Sequence, residues 1–165
     1  MLYQRVDDER HHTAFHESGH AVAAYRLGWP FSYVTIEPSD MTAGHLHSLP
    51  VLAEPLPYLG RKDRIDIVRS VKVSLAGVIA TRAAGFHDPY DGSDGDYMDV
   101  LALLNVLCDG IDDLETTIVR LADETAEMLR EQKTWALVEA VASALLHRRT
   151  LGYRAVHNLA MRCSA

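Results

Sequence analysis

The residues best suited to chemistry lie in one short stretch, His16 to His20, which reads HESGH. It matches the pattern H-E-x-x-H, in which two histidines stand four residues apart. On a helix such residues lie on one face about one turn apart, so both imidazoles can reach a single metal ion. Glu17 projects from the neighbouring position, where its carboxylate can touch a water molecule on that metal without being a ligand. The stretch therefore predicts a catalytic metal site if it is helical.

The flanking residues predict that helix. Asp7 and Asp8 offer an N-cap and a favourable negative charge at its start. The alanines around the stretch are strong helix formers. Gly28, followed by Trp29 and Pro30, is typical of a helix end. We therefore expect one helix that starts at Asp7 or Asp8, contains HESGH and ends at Gly28.

A catalytic zinc site usually has three protein ligands, so the chain must supply a third. The metzincin pattern would place a further histidine on the same segment, but Ala23 and Arg26 stand where it requires glycine and histidine. His45 and His47 lie two residues apart on a predicted strand, so their side chains point to the same face of the sheet and could reach the site. Of the other histidines, His11, His12 and His87 are expected to be surface residues. His147 and His157 lie in late helices and have no metal spacing.

The acidic stretch 91–96, which reads DGSDGD, is a better source of the third ligand. A carboxylate at the start of a helix is a natural oxygen ligand for zinc, because the loop before it can hold it in place. The simpler role for Asp94 or Asp96 is that of an N-cap. Spacing alone does not choose between these roles.

Composition excludes several other functions. The chain has 165 residues, 48% hydrophobic and 24% charged, as in an ordinary globular protein. A net charge of −7 leaves no basic stripe to follow a nucleic-acid backbone. No apolar run is long enough to span a membrane, and the N-terminus lacks the apolar region of a secretory signal. Cys108 and Cys163 form no disulfide framework, which favours a cytoplasmic location.

The rest of the pattern predicts one domain over residues 1–165 with a mainly α (α+β) fold. Tyr33 to Glu37 alternates and is rich in β-branched residues, and residues 44–49 are expected to pair with it in a small antiparallel sheet beside the first helix. Residues 61–84 carry an apolar stripe with helical spacing, and Gly77 inside it suggests close packing against another element. Further helices are expected at about 96–108, 112–130, 133–149 and 153–159.

Most of the chain resembles the zinc-peptidase domain of the FtsH family of ATP-dependent membrane proteases. FHESGHA is similar to the family's YHEAGHA, and VTIEP followed by AGH is similar to its VTI-x-P and (A/L)GY segments. SLAG at 74–77 resembles its LAGR, GSDGD at 92–96 resembles its GASND, and EAVASALLHRRT resembles its ALLE-x-ET ending more loosely. The resemblance implies that Asp96 is the third zinc ligand, with Asp94 as the alternative if the loop is shifted by two residues.

The resemblance further implies a zinc-dependent endopeptidase in which His16, His20 and Asp96 bind Zn2+ and Glu17 is the general base. Residues 44–49 would dock the substrate by main-chain hydrogen bonds. The sequence has no Walker A pattern and no membrane span, so we expect the peptidase module alone, acting without ATP on peptides or unfolded segments. A separate unfoldase or adaptor could deliver proteins to it. The family works as hexamers, so a homo-oligomer is a further expectation.

One departure from the family pattern favours an alternative function. The family follows LAG with R-x-x-E, whereas Val78 and Thr81 stand at those positions here. A carboxylate that supports the metal ligands would then be missing. The alternative is a metal-binding, weakly active or inactive module that regulates or scaffolds a partner protein. The intact Glu17 argues against it, since an inactive relative has no physical need for that residue. A helical domain without a metal is the third possibility.

Overall fold

The computed structural model of the chain describes residues 2–38, 44–48, 60–86 and 94–164. In these residues helices surround one small antiparallel sheet, which confirms the predicted mainly α fold. The helices are α1 (Leu2–Leu27), α2 (Arg61–Ala83), α3 (Asp94–Leu104), α4 (Ile111–Arg130), α5 (Gln132–Arg148) and α6 (Tyr153–Ser164). The strands are β1 (Phe31–Thr35), β2 (His45–Ser48) and β3 (Thr150–Gly152), and they lie side by side in the order β2-β1-β3.

The central helix is α1, whose middle is built from small side chains. Ala14, Ala21 and Ala24 are completely buried. Gly19 lies so close to α2 that a Cβ atom there would overlap the carbonyl oxygen of Ala76. Because a residue without a side chain lets two helix backbones approach this closely, α1 and α2 form a tight pair. This pair carries the HESGH residues.

Two apolar clusters hold the helices in place. The first cluster joins α1 to α5, α6 and the sheet, and its fully buried members include Val22, Val34 and Leu145. The second cluster joins α2 to α3 and α4 through Ile67, Val100 and residues around them. Complete burial of one such side chain contributes about 1.5–3 kcal/mol. Each cluster therefore anchors a different part of the candidate site.

Val100 of the second cluster is the residue that positions the start of α3. It is fully buried, and it follows Asp96 by one helical turn. Residues four apart lie on the same face of a helix, so the anchoring of Val100 turns Asp96 toward the interior as well. The two histidines and the aspartate thus come from helices anchored in different clusters.

Three element boundaries differ from the sequence-based expectation. The first helix begins at Leu2, so the prediction that Asp7 or Asp8 caps it was wrong. Helix α3 covers Asp94–Leu104 rather than residues 96–108. Helix α4 begins at Ile111, close to the expected residue 112. The first strand covers Phe31–Thr35 rather than residues 33–37.

The third strand, Thr150–Gly152, was not predicted, and α6 continues beyond the expected residue 159 to Ser164. The chain leaves α5 at Arg149, whose φ of 64° lies in the left-handed region. The carbonyl oxygen of Arg149 then accepts a hydrogen bond from the backbone N–H of Ile36. A three-residue strand is too short to show an alternating pattern, so tertiary pairing with β1 decides its conformation.

No helix in the described part of the chain is both long and apolar enough to cross a membrane.

Candidate metal centre

His16 and His20 stand one turn apart on α1 and face the start of α3. Their Nε2 atoms are 3.0 Å apart, and Asp96 Oδ2 lies 2.9 Å from Nε2 of His16 and 3.1 Å from Nε2 of His20. The histidines are 8% and 5% exposed. These three residues form a group that could hold a metal ion. The structure therefore brings together the three side chains that the family resemblance implied as metal ligands.

The separations are compatible with a bound ion. Zinc binds histidine nitrogen and carboxylate oxygen at about 2.0–2.2 Å, so the ligand atoms of a tetrahedral site lie roughly 3.3–3.5 Å from one another. The observed separations are shorter by only a few tenths of an ångström. Two imidazoles and one carboxylate are also a donor set that leaves a fourth position open, as catalytic zinc sites do.

A backbone carbonyl orients His20. Its Nδ1 atom lies 2.7 Å from the carbonyl oxygen of Val73 on α2, so Nδ1 carries a proton that it donates to this oxygen. The lone pair of a neutral His20 is then on Nε2, which faces His16 and Asp96. By contrast, Nδ1 of His16 is buried and has no hydrogen-bond partner among the described residues. The orientation of His20 is therefore better determined than that of His16.

Electrostatic interactions hold His16, His20 and Asp96 together. Burial lowers the pKa of His16 and outweighs the opposing effect of Asp96. Burial also disfavours the charged form of His20, but the carboxylates of Asp96 and Glu17 raise the pKa of His20 to about 9. Burial disfavours the charged form of Asp96, yet His20 and the two ring hydrogen bonds hold the pKa of Asp96 well below its usual range. At neutral pH the cluster therefore contains a cationic His20 beside an anionic Asp96.

This charge state makes metal binding depend on pH. A metal can reach Nε2 of His20 only after that atom loses its proton, and His20 keeps the proton up to about pH 9. Below this pH, each unit of acidification should weaken the apparent affinity about tenfold, since one proton is displaced. Zinc titrations against a competing chelator between about pH 7 and pH 8.5 measure this slope. An affinity that stays constant over this range would contradict a protonated His20.

Gly77 of α2 supplies the space in which both imidazoles lie. A Cβ atom at this position would be 2.5 Å from Nε2 of His20 and 2.8 Å from Cε1 of His16. The close packing that the sequence analysis expected at Gly77 is therefore confirmed, and the element that approaches it is α1. Only a glycine leaves room for the two rings.

Gly77→Ala should weaken metal binding without unfolding the chain. The added methyl group pushes the rings apart, and we expect a loss of affinity of about 10–100-fold, as for other disturbances of ligand orientation. Isothermal titration with zinc measures the change. Gly95→Ala on α3 is the matched control, because a Cβ atom there meets no atom of the described residues within 4 Å. Equal affinities for the two variants would contradict the role of Gly77.

Glu17 is buried beside this group, and one of its carboxylate oxygens lacks a hydrogen-bond partner among the described residues. It is 4% exposed, and its Oε2 atom has no hydrogen-bond partner among the described residues. Burial raises the pKa of Glu17 to about 7, although the nearby charge of His20 opposes the shift. Gly44, just before β2, lies so close that a Cβ atom there would be 2.9 Å from Oε1 of Glu17. A buried carboxylate with a raised pKa is suited to accepting and returning a proton near neutral pH.

Of the other candidate ligands that the structure describes, His45 and His47 do not join the group. His45 lies 3.2 Å, through Nε2, from the hydroxyl oxygen of Tyr33, and His47 stacks on the same tyrosine. Leu46 between them packs against the first cluster, so the two histidines lie on the opposite face of β2. Asp94 begins α3, but its side chain, like Asp91 and His87, lies outside the described residues.

Two contacts of the site could not be found by inspecting side-chain types. The carbonyl oxygen of Val73 is a backbone group, so no residue type signals its role. Gly44 was expected only as the start of a docking strand. The structure adds that any larger residue at this position would place its Cβ atom too close to the side chain of Glu17. Thr81, which stands where the resembled family has glutamate, is buried, and its hydroxyl donates a hydrogen bond to the carbonyl oxygen of Val78.

No protein-family model matches the chain, and no curated protein matches it.

Proposed function

We propose that the chain is a zinc-dependent endopeptidase with the ligands His16, His20 and Asp96 and the general base Glu17. The observation that carries this proposal is the convergence of three potential ligating atoms next to the buried carboxylate of Glu17, whose Oε2 atom has no hydrogen-bond partner among the described residues. Burial of a carboxylate oxygen without a hydrogen bond destabilises the fold, so a purely structural role does not account for Glu17. The resemblance of the sequence to FtsH-family peptidase domains points to the same activity.

Zinc is the metal that the donor set favours, since imidazole nitrogens and one carboxylate oxygen in a three-ligand site suit it. When bound, zinc supplies Lewis acidity that activates water and polarises a carbonyl group. His16 and His20 would hold the ion through Nε2, and the Val73 carbonyl orients His20 for this. Asp96 contributes one negative charge.

Glu17 carries the proton through the reaction. It takes a proton from the attacking water while the oxygen of that water bonds to the scissile carbonyl carbon. When the carbon–nitrogen bond breaks, Glu17 delivers the proton to the leaving amine, so that a carboxylic acid and an amine result. The raised pKa of Glu17, about 7, makes both transfers accessible near neutral pH.

The edge of the sheet is the proposed docking place for the substrate. In the order β2-β1-β3, strand β2 pairs only with β1 among the described strands, so its outer edge can accept an extended peptide. Gly44 lies just before β2, and a Cβ atom built there would be 2.9 Å from Oε1 of Glu17. A peptide added to this edge would therefore pass beside the general base. An extended peptide is needed for this mode, which favours unfolded segments as substrates.

The test of the proposal combines metal content with proteolysis. The purified chain should contain about one zinc ion and should hydrolyse an unfolded, casein-like substrate. Removal of zinc with a chelator should abolish hydrolysis, and addition of zinc should restore it. A chain that binds no zinc at any pH would refute the site assignment.

A second candidate function is a metal-binding module with little or no peptidase activity that regulates or scaffolds a partner. It is favoured by Thr81, which offers no carboxylate near the site, and by the buried Nδ1 atom of His16, which lacks a partner among the described residues. A ligand without such support binds metal less tightly. Zinc content without hydrolysis of any unfolded substrate would select this function.

A further inference from the structure

A surface groove between the end of α1 and the first half of α2 shares no residue with the candidate metal centre. Its volume is about 520 Å3. The apolar side chains that line it are Leu27, Ile65 and Val68. Ile65 is 43% exposed, although large aliphatic residues are usually buried. The groove therefore presents an apolar surface that the described part of the chain leaves uncovered.

Four cationic side chains also line the groove: Arg61, Arg64, Arg69 and Lys72. This concentration stands out in a chain whose net charge is −7. Lys72 is paired with Glu124 at 2.6 Å, and Arg69 lies 3.5 Å from Asp66. Arg61 and Arg64 have no ion pair with any described residue. The groove thus keeps at least two positive charges that the described residues do not neutralise.

The position of these arginines does not stabilise α2. They lie in its first turns, where the positive end of the helix dipole disfavours cations. The stems of arginine side chains are apolar and add to an apolar surface, whereas their charged ends favour contact with water. The combination of an apolar floor and a cationic rim is complementary to a ligand with large apolar groups and negative charge.

The spacing of the charges indicates what kind of ligand this is. The two unpaired cations, Arg61 and Arg64, lie three residues apart on α2, which is about 4.5 Å along its axis. An amphiphile with a single anionic headgroup would neutralise only one of these two charges. A peptide with several acidic residues can place a carboxylate on each arginine and apolar side chains on the groove beside them.

We propose that this groove docks an acidic peptide segment of a partner protein, with large apolar side chains against Leu27, Ile65 and Val68 and carboxylates on Arg61 and Arg64. Docking does not require a bound metal, since none of the proposed metal ligands lines the groove. The proposal is therefore independent of the peptidase activity. It gives the chain a recruiting surface separate from the place where a peptide would be cut.

The test is a binding titration with labelled acidic peptides. A panel of short peptides carries leucines at extended or helical spacing with glutamates between them, and the protein is the full chain with Glu17→Gln so that no probe is cleaved. Fluorescence anisotropy should show saturable binding for at least one spacing at physiological salt. The same peptide with glutamine for every glutamate should bind at least about tenfold more weakly. No saturable binding by any peptide of the panel would overturn the proposal.

Variants of the groove locate the binding surface. Arg61→Glu combined with Arg64→Glu should weaken binding about tenfold or more, and Ile65→Ser should weaken it without changing its dependence on salt. Arg148→Glu, an exposed arginine at the end of α5, is the matched control and should leave binding unchanged. All four substituted positions are exposed, and circular dichroism checks the helix content. Peptide binding that is unaffected by the groove variants would overturn the proposal. It would also be overturned if dodecanoate displaced the peptide from the native chain and the double arginine variant bound the peptide as tightly as the native chain.

Discussion

Glu17→Gln should remove peptidase activity and leave the zinc content at about one per chain. Glutamine has nearly the same shape as glutamate, so it fits the same buried position, but it cannot accept a proton. Loss of a general base typically slows a reaction by about 100- to 10,000-fold. Initial rates on an unfolded substrate and metal analysis of the same preparation measure both quantities. Glu9→Gln, an exposed position on the same helix, is the control.

The variant should also be more stable than the native metal-free chain above neutral pH. Burial raises the pKa of Glu17 from 4.5 to about 7, so the folded state disfavours the charged carboxylate. The resulting penalty is absent below about pH 4.5 and complete above about pH 7. Glutamine never carries the charge and avoids the penalty, so thermal unfolding at about pH 8 should occur at a higher temperature in the variant. Activity that survives in Glu17→Gln would contradict the assignment of the general base.

Asp96→Asn should prevent zinc binding and with it the activity. The carboxylate is the only anionic ligand of the group, and a neutral amide is a poor ligand for zinc. We expect the affinity for zinc to fall at least about a hundredfold. Even substitution of a residue that only hydrogen-bonds to a metal ligand lowers metal affinity about 10–100-fold. Isothermal titration measures this loss.

Asp99→Asn provides the control for that experiment, because Asp99 is exposed on the same helix. It removes one negative charge from α3 without touching the metal group. The two variants therefore separate the loss of a ligand from the loss of charge near the site. If Asp96→Asn bound zinc as well as Asp99→Asn, the third ligand would have to be sought elsewhere.

The sequence predicted the histidine pair because the i, i+4 spacing acts within one helix and needs no tertiary information. Asp96 is different, since it lies 80 positions from His16 and reaches it only through the packing of α3 on α2. Spacing could not select it from the acidic stretch, and only the resemblance to a family singled it out. The fold places Asp96 there because Val100 is buried one turn later.

Elements without a side-chain signal could not be predicted. Strand β3 has three residues and forms because β1 offers a partner, with Tyr33 opposite Gly152 and Thr35 opposite Thr150. The orientation of His20 depends on a backbone carbonyl, for which no residue type is diagnostic. The groove beside α2 likewise combines Leu27 with residues more than thirty positions later, a proximity that only the folded chain creates.

The candidate metal centre joins helices that are anchored separately. His16 and His20 belong to a helix held in the first apolar cluster, while Asp96 belongs to α3, which is held in the second. An ion shared by the three residues would act as a cross-link between two parts of the fold. Its removal would let α3 open by itself at a lower free energy than the rest of the chain. Amide hydrogens of α3 would then exchange with solvent faster than those of α1 and α5. The local stability of α3 would therefore depend on the concentration of available metal.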